Sequence, residues 1–390
     1  MKNSLLTLHR YLGLLLAGFL FIAGVTGSVL AFYYEFDALL NPGLFRVEQA
    51  GQAAARSPTE LAQAVNAWDE RIRIFYLPIT ARPSRATVAY VEPVDNPQTG
   101  DAFNVPYDEV FINPITAEVT GARLWGECCG RENVIPMMHK LHNRLFLPSS
   151  IGRPIWGTVA LLWTIMAVIG LVLTWPAAKP KWQRWRQAWK LNRGLPLLPM
   201  LISLHRATGL WFWLMIIPLA ASGAAIGLDK QLFVPVVNLF SASAPQVETQ
   251  IEPSPMAPAG TDQPAISFDT AVGEAQQHMQ LLGLQTEPSA ISYDHEDGTY
   301  RIDFGNRDQA GLHFNSVYLA ATDGTIMGDT VKGTYSLEDW ASATRDRIHS
   351  GKIAGLPGRI LVFLSGWAVA LLSLTGVIVW WKRRRRSSGR

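Results

Sequence analysis

The sequence predicts an α-helical membrane protein with four spans, two external α+β domains and an internal two-fold repeat. Three observations predict this: an apolar composition, four long stretches without ionised side chains, and a match of the chain to itself. Of 390 residues, 48% are hydrophobic, 14 are Trp and only 17% are charged, which is too apolar for an ordinary soluble chain. The net charge of +3 is small but unevenly spread, so the position of the basic residues carries the information. We expect no nucleic-acid partner.

The spans are expected at about 11–34, 155–176, 207–228 and 360–381, each with roughly 20 residues to cross a bilayer core of about 30 Å. The first, "YLGLLLAGFLFIAGVTGSVLAFYY", is longer than the apolar region of a signal peptide and has no clear small-x-small cleavage site after it. We read it as a helix that stays. Segments follow in order: 1–34 with the first span, an α+β domain at 35–135, an external histidine helix and second span at 136–176, and a basic connector at 177–206. The third span (207–228), a linker and second α+β domain (229–345), an external histidine segment and fourth span (346–381) and a basic tail (382–390) complete the chain.

The connector holds seven Lys or Arg and no Asp or Glu, and the tail reads "KRRRRSSGR"; both are expected on the cytoplasmic side. Four spans then put both termini inside, and 35–154 and 229–359 in the periplasm of a bacterial inner-membrane protein. Trp182, Trp185 and Trp189 alternate with Arg184, Arg186, Lys190 and Arg193, which suits a helix lying on anionic lipid. A docking surface for an acidic electron donor has the same pattern.

The repeat emerges when the chain is laid on itself. At an offset of 207, "VFINPITAEVTG" falls on "VYLAATDGTIMG", Ala64-Val65 on Ala271-Val272 and His142 on His349. One residue less brings Gly152-Arg153 over Gly358-Arg359. At 196, "LHRYLGL" falls on "LHRATGL", so His9 corresponds to His205. Within the second external domain, "SFDTAVGEAQQHMQLL" has helical periodicity and "AISYDHEDGTYRIDFG" reads as a hairpin around Asp-Gly. Stretches rich in small residues, 241–265 and 49–58, read as linkers.

Of eight histidines, His278, His295 and His313 look like ordinary domain residues. The rest lie near the spans, where ionisable groups are costly. Topology places His9 and His205 on the cytoplasmic side, and His142 and His349 on the external side. One imidazole from each of two facing helices is the ligand set of a bis-histidine haem, so two such pairs predict two haems. The chain has no Cys-x-x-Cys-His, which makes b-type haem the expectation; zinc would want three or four ligands.

His139 is the rival of His142, but the offset of 207 carries it onto Asp346. Arg10 and Arg206 beside the inner pair, and Lys140, Arg144 and Arg347 beside the outer, are expected to hold haem propionates. Arg345 and Lys352 add to the basic charge on the outer side. The only cysteines, Cys128 and Cys129, leave a vicinal disulfide, an intermolecular bond or a catalytic role open, and we put a structural role first. No nucleotide-binding glycine motif and no nucleophile elbow occurs.

The ordered set "LHRYLGLLLAGFLFIAGVTG", "MMHKLHNRLFLPSSIGRPIWG", "LHRATGLWFW" and "RIHSGKIAGLPGR" resembles the PepSY-associated transmembrane family over nearly the whole chain. It is most similar to members that act as siderophore reductases. The resemblance implies PepSY-like external domains, b-type haem, and reduction of a ferric siderophore in the periplasm with release of Fe(II). The expected partners are that siderophore, a cytoplasmic or quinol electron donor, and membrane lipid. The alternative is a non-enzymatic transport, scaffold or protease-regulating protein.

Overall fold

The structure, a computed structural model, describes residues 2–47, 54–80, 84–241, 264–305, 315–331 and 337–388. Most of the linker expected at 241–265, the first half of that at 49–58, and His313 lie outside the described residues.

The chain opens with α1 (Lys2–Leu30), followed by the short helices α2 (Tyr33–Leu40) and α3 (Pro42–Phe45) and by α4 (Pro58–Trp68). Strands β1 (Ile72–Pro78), β2 (Thr87–Pro93), β3 (Glu109–Ile112) and β4 (Val119–Arg123) come next. Then α5 (Val134–Arg144), α6 (Ser149–Thr174), α7 (Lys181–Ala188), α8 (Leu197–Gly227) and α9 (Val234–Ser241) lead to α10 (Phe268–Leu281). Strands β5 (Pro288–Asp294), β6 (Thr299–Phe304), β7 (Asn315–Ala320) and β8 (Ile326–Asp329) precede α11 (Leu337–Ser350) and α12 (Gly355–Ser388).

Among the described residues, α1, α6, α8 and α12 are the helices long and apolar enough to span a membrane. Both α1 and α8 begin well before the expected spans, because a hydropathy window stops at the His-Arg pair whereas the backbone ladder runs on through it. His9 and His205 therefore lie about two turns inside their helices.

The four helices form a ring in which α1 packs along α12, α6 along α8, and the remaining neighbours close it. Small residues make the seams. A Cβ on Gly24 would come within 2.5 Å of Gly366 O, and one on Gly157 within 2.6 Å of the backbone of Gly227. Ser28 Oγ donates to Phe363 O across the α1–α12 seam at 2.8 Å, as close helix crossings in lipid require.

One antiparallel sheet in the order β4-β3-β2-β1-β5-β6-β7-β8 caps one end of this bundle. The two segments expected as α+β domains, 35–135 and 229–345, each contribute four strands to this one sheet. In each half the first strand would be a bare edge, and β1 and β5 satisfy each other by pairing Tyr76 with Ser292, Leu77 with Ile291 and Pro78 with Ala290. The two helices that follow the linkers then cover the same face. Leu61 and Val65 of α4, and Phe268, Ala271, Ala275 and Met279 of α10, share one core with Ile74, Val91, Ile291, Ile302 and Leu319. Ser57 caps α4 in a reciprocal box with Glu60, and Ser267 caps α10. The two N-termini clasp each other, Thr59 N donating to Asp269 Oδ1 and Asp269 N to Thr59 Oγ1. The hairpin expected around Asp297-Gly298 is β5–β6, with Gly298 at φ 59°.

A buried ionic cluster fixes the sheet to the bundle. Arg123 of β4 donates to Glu109 Oε2 at 2.6 Å, to Asp37 Oδ2 at 2.7 Å and to Glu132 O at 2.6 Å. Asp37 sits on α2, just beyond α1, and Glu132 sits just before α5. Asn41 Nδ2 donates to Asp37 Oδ1 at 2.8 Å. Arg359 at the start of α12 adds a second tie, donating to Ala31 O at 2.8 Å and to Glu35 at 2.7 Å.

Candidate functional site

Two histidine pairs occupy opposite ends of the helix ring. On the connector side, His9 of α1 and His205 of α8 have ring centroids 6.4 Å apart. On the sheet side, His142 of α5 and His349 of α11 have ring centroids 6.1 Å apart. The sheet-side pair does not come from the spans themselves. Helix α5 lies against the end of α1 and α11 against the end of α8, and each turns sharply into the span that follows. The first turn runs through Leu145 and Phe146, at φ 55° and 60°, and the second through Gly351 at φ 74°. Gly152 packs on the backbone of Arg144 and Gly358 on that of Gly351, so closely that neither site has room for a Cβ.

Each imidazole is oriented from behind. His142 Nδ1 is 2.8 Å from Thr26 Oγ1, His205 Nδ1 is 2.9 Å from Thr375 Oγ1, and His349 Nδ1 is 3.1 Å from Ser222 Oγ. The three hydroxyls donate their single protons to backbone carbonyls, of Ile22, Leu371 and Leu219, so their oxygens accept from Nδ1–H. His9 Nδ1 donates to Met166 O at 3.2 Å. Among the described residues this leaves Nε2 as the ring nitrogen without a hydrogen bond, and the partner on Nδ1–H fixes the tautomer and ring orientation in which Nε2 can bind a metal.

A glycine faces Cε1 of each ring. A Cβ would stand 3.0 Å from His142 at Gly27, 3.0 Å from His9 at Gly170, 3.2 Å from His349 at Gly223 and 3.5 Å from His205 at Gly376. Sequence reading missed these hydroxyls and glycines. The signal was present: Thr26-Gly27 falls on Ser222-Gly223 at the offset of 196 that carries His9 onto His205, and Gly170 falls on Gly376 at 206.

His9 and Gly27 are 18 residues apart on α1, so the two pairs stand about 27 Å apart along the helix at ~1.5 Å per residue. The layer between them is filled by Leu16, Leu20, Trp156, Val159, Ile216 and Val369, with Phe19, Trp163 and Phe212 around them. Trp156 links this layer to the sheet-side pair, 5.9 Å from Phe19 and 6.4 Å from His142 between ring centroids.

Burial, and then the proximity of His349 and His139, push His142 down to about 3, and burial lowers His349 as well. Both are thereby held as neutral imidazoles, the form that binds metal. His142, and not His139, lies against His349. The His139 ring instead packs at 5.3 Å from Trp125 and 6.3 Å from Tyr33, and its buried Nδ1 has no hydrogen bond among the described residues. Burial, followed by Arg144 and Arg153, lowers His139 too.

The five cations expected beside the pairs have varied surroundings. Arg10 is exposed on α1. Arg206 donates to Ala188 O and Gln187 O, Lys140 to Gly126 O and Arg144 to Ser149 Oγ, which braces the chain next to each pair. Arg347 is buried at 5% exposure. Cys128 and Cys129 form a vicinal disulfide in an exposed loop, where Cys129 N donates to Met137 Sδ at 3.5 Å. On the connector side Trp185 makes ring contacts of 5.3–5.4 Å with Trp175, Trp182 and Trp189.

Among the described residues no group of three or more His, Cys, Asp or Glu side chains could hold a metal ion. Each pair can therefore supply two nitrogen donors and no more. Residues 6–383 match the sequence profile described as the PepSY-associated TM region. No curated protein matches the chain.

Proposed function

The chain belongs to the PepSY-associated transmembrane family, and from that premise we propose that it is a di-haem b membrane reductase that delivers electrons to ferric siderophores. The observation that carries the reading is the pair of histidine pairs, one at each end of a single helix ring, with every Nδ1 tied back and every Nε2 left over. Each pair brings two imidazoles together, with ring centroids 6.4 and 6.1 Å apart, and no third donor among the described residues; such a two-nitrogen set would suit haem, which needs only two ligands from the protein.

His9 and His205 would hold the first haem and His142 and His349 the second; when bound, these groups supply one-electron redox chemistry at each face of the membrane. The chain's own contribution is to fix four imidazoles as neutral ligands and to keep water out of the layer between the pairs. In this reading the basic connector and tail face the cytoplasm of a bacterial inner membrane and the sheet lies in the periplasm. The two halves of the chain are copies of one unit with PepSY-like external parts, supported by the sheet order and by the matched histidine, hydroxyl and glycine positions. Each ferric ion takes one electron to become Fe(II), and a quinol donor would release two electrons and two protons for two ferric ions. Fe(II) holds hard oxygen ligands less tightly than Fe(III), which frees the metal from the chelate.

The test begins with purified protein. A pyridine haemochrome assay is expected to give two haems per chain, and His9→Ala or His205→Ala to remove one component. Anaerobically reduced protein is then mixed separately with ferric trihydroxamate and ferric tris-catecholate complexes, with ferrozine present. Fe(II) capture that tracks haem reoxidation supports the reading. A colourless protein, or reoxidation without captured Fe(II) for every chelate, overturns it.

A further inference from the structure

The sheet has a second face, turned toward the spanning helices and away from the core under α4 and α10. Along β1 the residues on that face are Arg73, Phe75 and Tyr76, along β2 Val88 and Tyr90, and along β6 Arg301 and Asp303. Between this face, α2 and α3 on one side, and the segment just before α12 on the other, lies a cavity of about 470 Å³, within the range of small-molecule sites.

Its lining combines aromatic walls and cations: Tyr34, Phe75 and Tyr76 with Arg85, Arg301 and Lys352, and among the described residues no lining residue is Asp or Glu. Phe75 and Tyr34 are 39% and 41% exposed, large apolar rings left open inside a concave surface. Arg301 is paired with Asp303 through two hydrogen bonds of 2.9 and 3.0 Å, which offsets its charge. Rings beside cations, here Arg85 and Lys352 with Arg301 offset by Asp303, recognise a ligand that is anionic and carries flat aryl groups.

The cavity also connects to the sheet-side histidines. Tyr34 contacts Tyr33 at 5.2 Å between centroids, Tyr33 contacts His139 at 6.3 Å, and His139 stands one turn before His142 on α5. This run of ring contacts leads from the cavity wall to the helix that carries His142. Tyr33 and His139, which the histidine pairs alone leave without a role, lie on it.

We propose that this cavity binds an anionic, aryl-bearing ferric chelate of the tris-catecholate class. The proposal rests on the reading of the protein as a ferric siderophore reductase, and it narrows the substrate class. An anionic lipid headgroup would meet the same cations, so the test separates the two sources.

Gallium(III) has the charge and size of ferric iron but is not reduced, so its complexes report binding alone. The full-length protein is placed in nanodiscs of phosphatidylcholine and titrated calorimetrically with a gallium tris-catecholate and with a neutral gallium trihydroxamate. The catecholate is expected to bind more tightly, by about tenfold or more, and Arg85→Glu to weaken it by about tenfold or more with haem content unchanged. Phe75→Ala, which removes a wall without changing charge, is expected to weaken both complexes. Equal binding of the two complexes, or catecholate binding untouched by Arg85→Glu, overturns the proposal. Loss of catecholate binding when phosphatidylglycerol replaces a third of the lipid also overturns it, in favour of a headgroup. Catecholate binding without any Fe(II) release from the ferric complex would leave the cavity standing and refute the reductase; Fe(II) release unaffected by Arg85→Glu would do the reverse.

Discussion

Thr26→Val separates the two histidine pairs by a single atom. Valine keeps the branched shape of threonine on α1 but removes the oxygen that accepts from His142 Nδ1 at 2.8 Å. The acceptor that remains for that ring is the backbone carbonyl of Ala23, so the substitution removes one hydrogen bond without stranding the N–H, at a cost of about 0.5–1.5 kcal/mol. At about 1.4 kcal/mol per decade, haem on the sheet-side pair should be held about 2- to 12-fold less tightly. The connector-side pair serves as the internal control, because His9 leans on the backbone carbonyl of Met166 and His205 on Thr375. The assay is haem retention against excess apomyoglobin, followed by absorption and by pyridine haemochrome. We expect one spectral component to leave faster and the other to stay, with Thr26→Ser behaving as wild type because it keeps the hydroxyl. Unchanged retention of both components would refute the reasoning, as would equal loss of both in Thr26→Val and Thr26→Ser.

The same spectra decide between neighbouring histidines: His142→Ala should abolish the sheet-side component and His139→Ala should retain it, and the reverse result would reassign the ligand. Arg123→Met strands the carboxylates of Asp37 and Glu109 in a buried site and should cost about 3–5 kcal/mol, read as a lower thermal midpoint in detergent; a change below about 1 kcal/mol would show that the sheet is anchored elsewhere. Burial raises Glu109 from 4.5 to about 7 in spite of Arg123, so the folded protein takes up a proton that the unfolded chain does not hold between those values. Stability should therefore rise as pH falls from 7 toward 4.5, with a slope of at most about 1.4 kcal/mol per pH unit. Glu109→Gln should flatten that slope, and a wild-type slope of opposite sign would mean that the carboxylate is held ionised.

The spans and the four histidines could be read from the sequence because each leaves a local mark: an uncharged run of about 20 residues, or a short motif that recurs at one spacing. Features that depend on distant partners left no such mark. Nothing in "IRIFYLP" or "PSAISYD" says that these strands pair with each other, since a strand edge offers the same backbone groups to any neighbour. Arg123 and Asp37 are 86 residues apart, and each alone reads as an ordinary surface charge. The helix alignment at an offset of 207 does not hold either, because the caps Ser57 and Ser267 stand 210 apart, and loops absorb the difference. Thr26, Ser222 and Thr375 were hidden for another reason: in an apolar helix a lone hydroxyl bonded to its own backbone looks like packing.

The ring places the first span against the last, and this orders the protein's synthesis. Gly24 of α1 meets Gly366 of α12, a residue made roughly 340 positions later, or about 20–70 s later at ~5–20 residues per second. The sheet-side pair also joins an earlier to a later residue, so a ribosome that stops before α11 releases a chain in which His142 lacks His349, although His9 and His205 are already made. Such a fragment would show an unfilled glycine seam to the lipid, and one that stops before β5 would show an unpaired β1 edge to the solvent as well. Those are the marks by which membrane proteases and chaperones could tell an unfinished chain from a finished one.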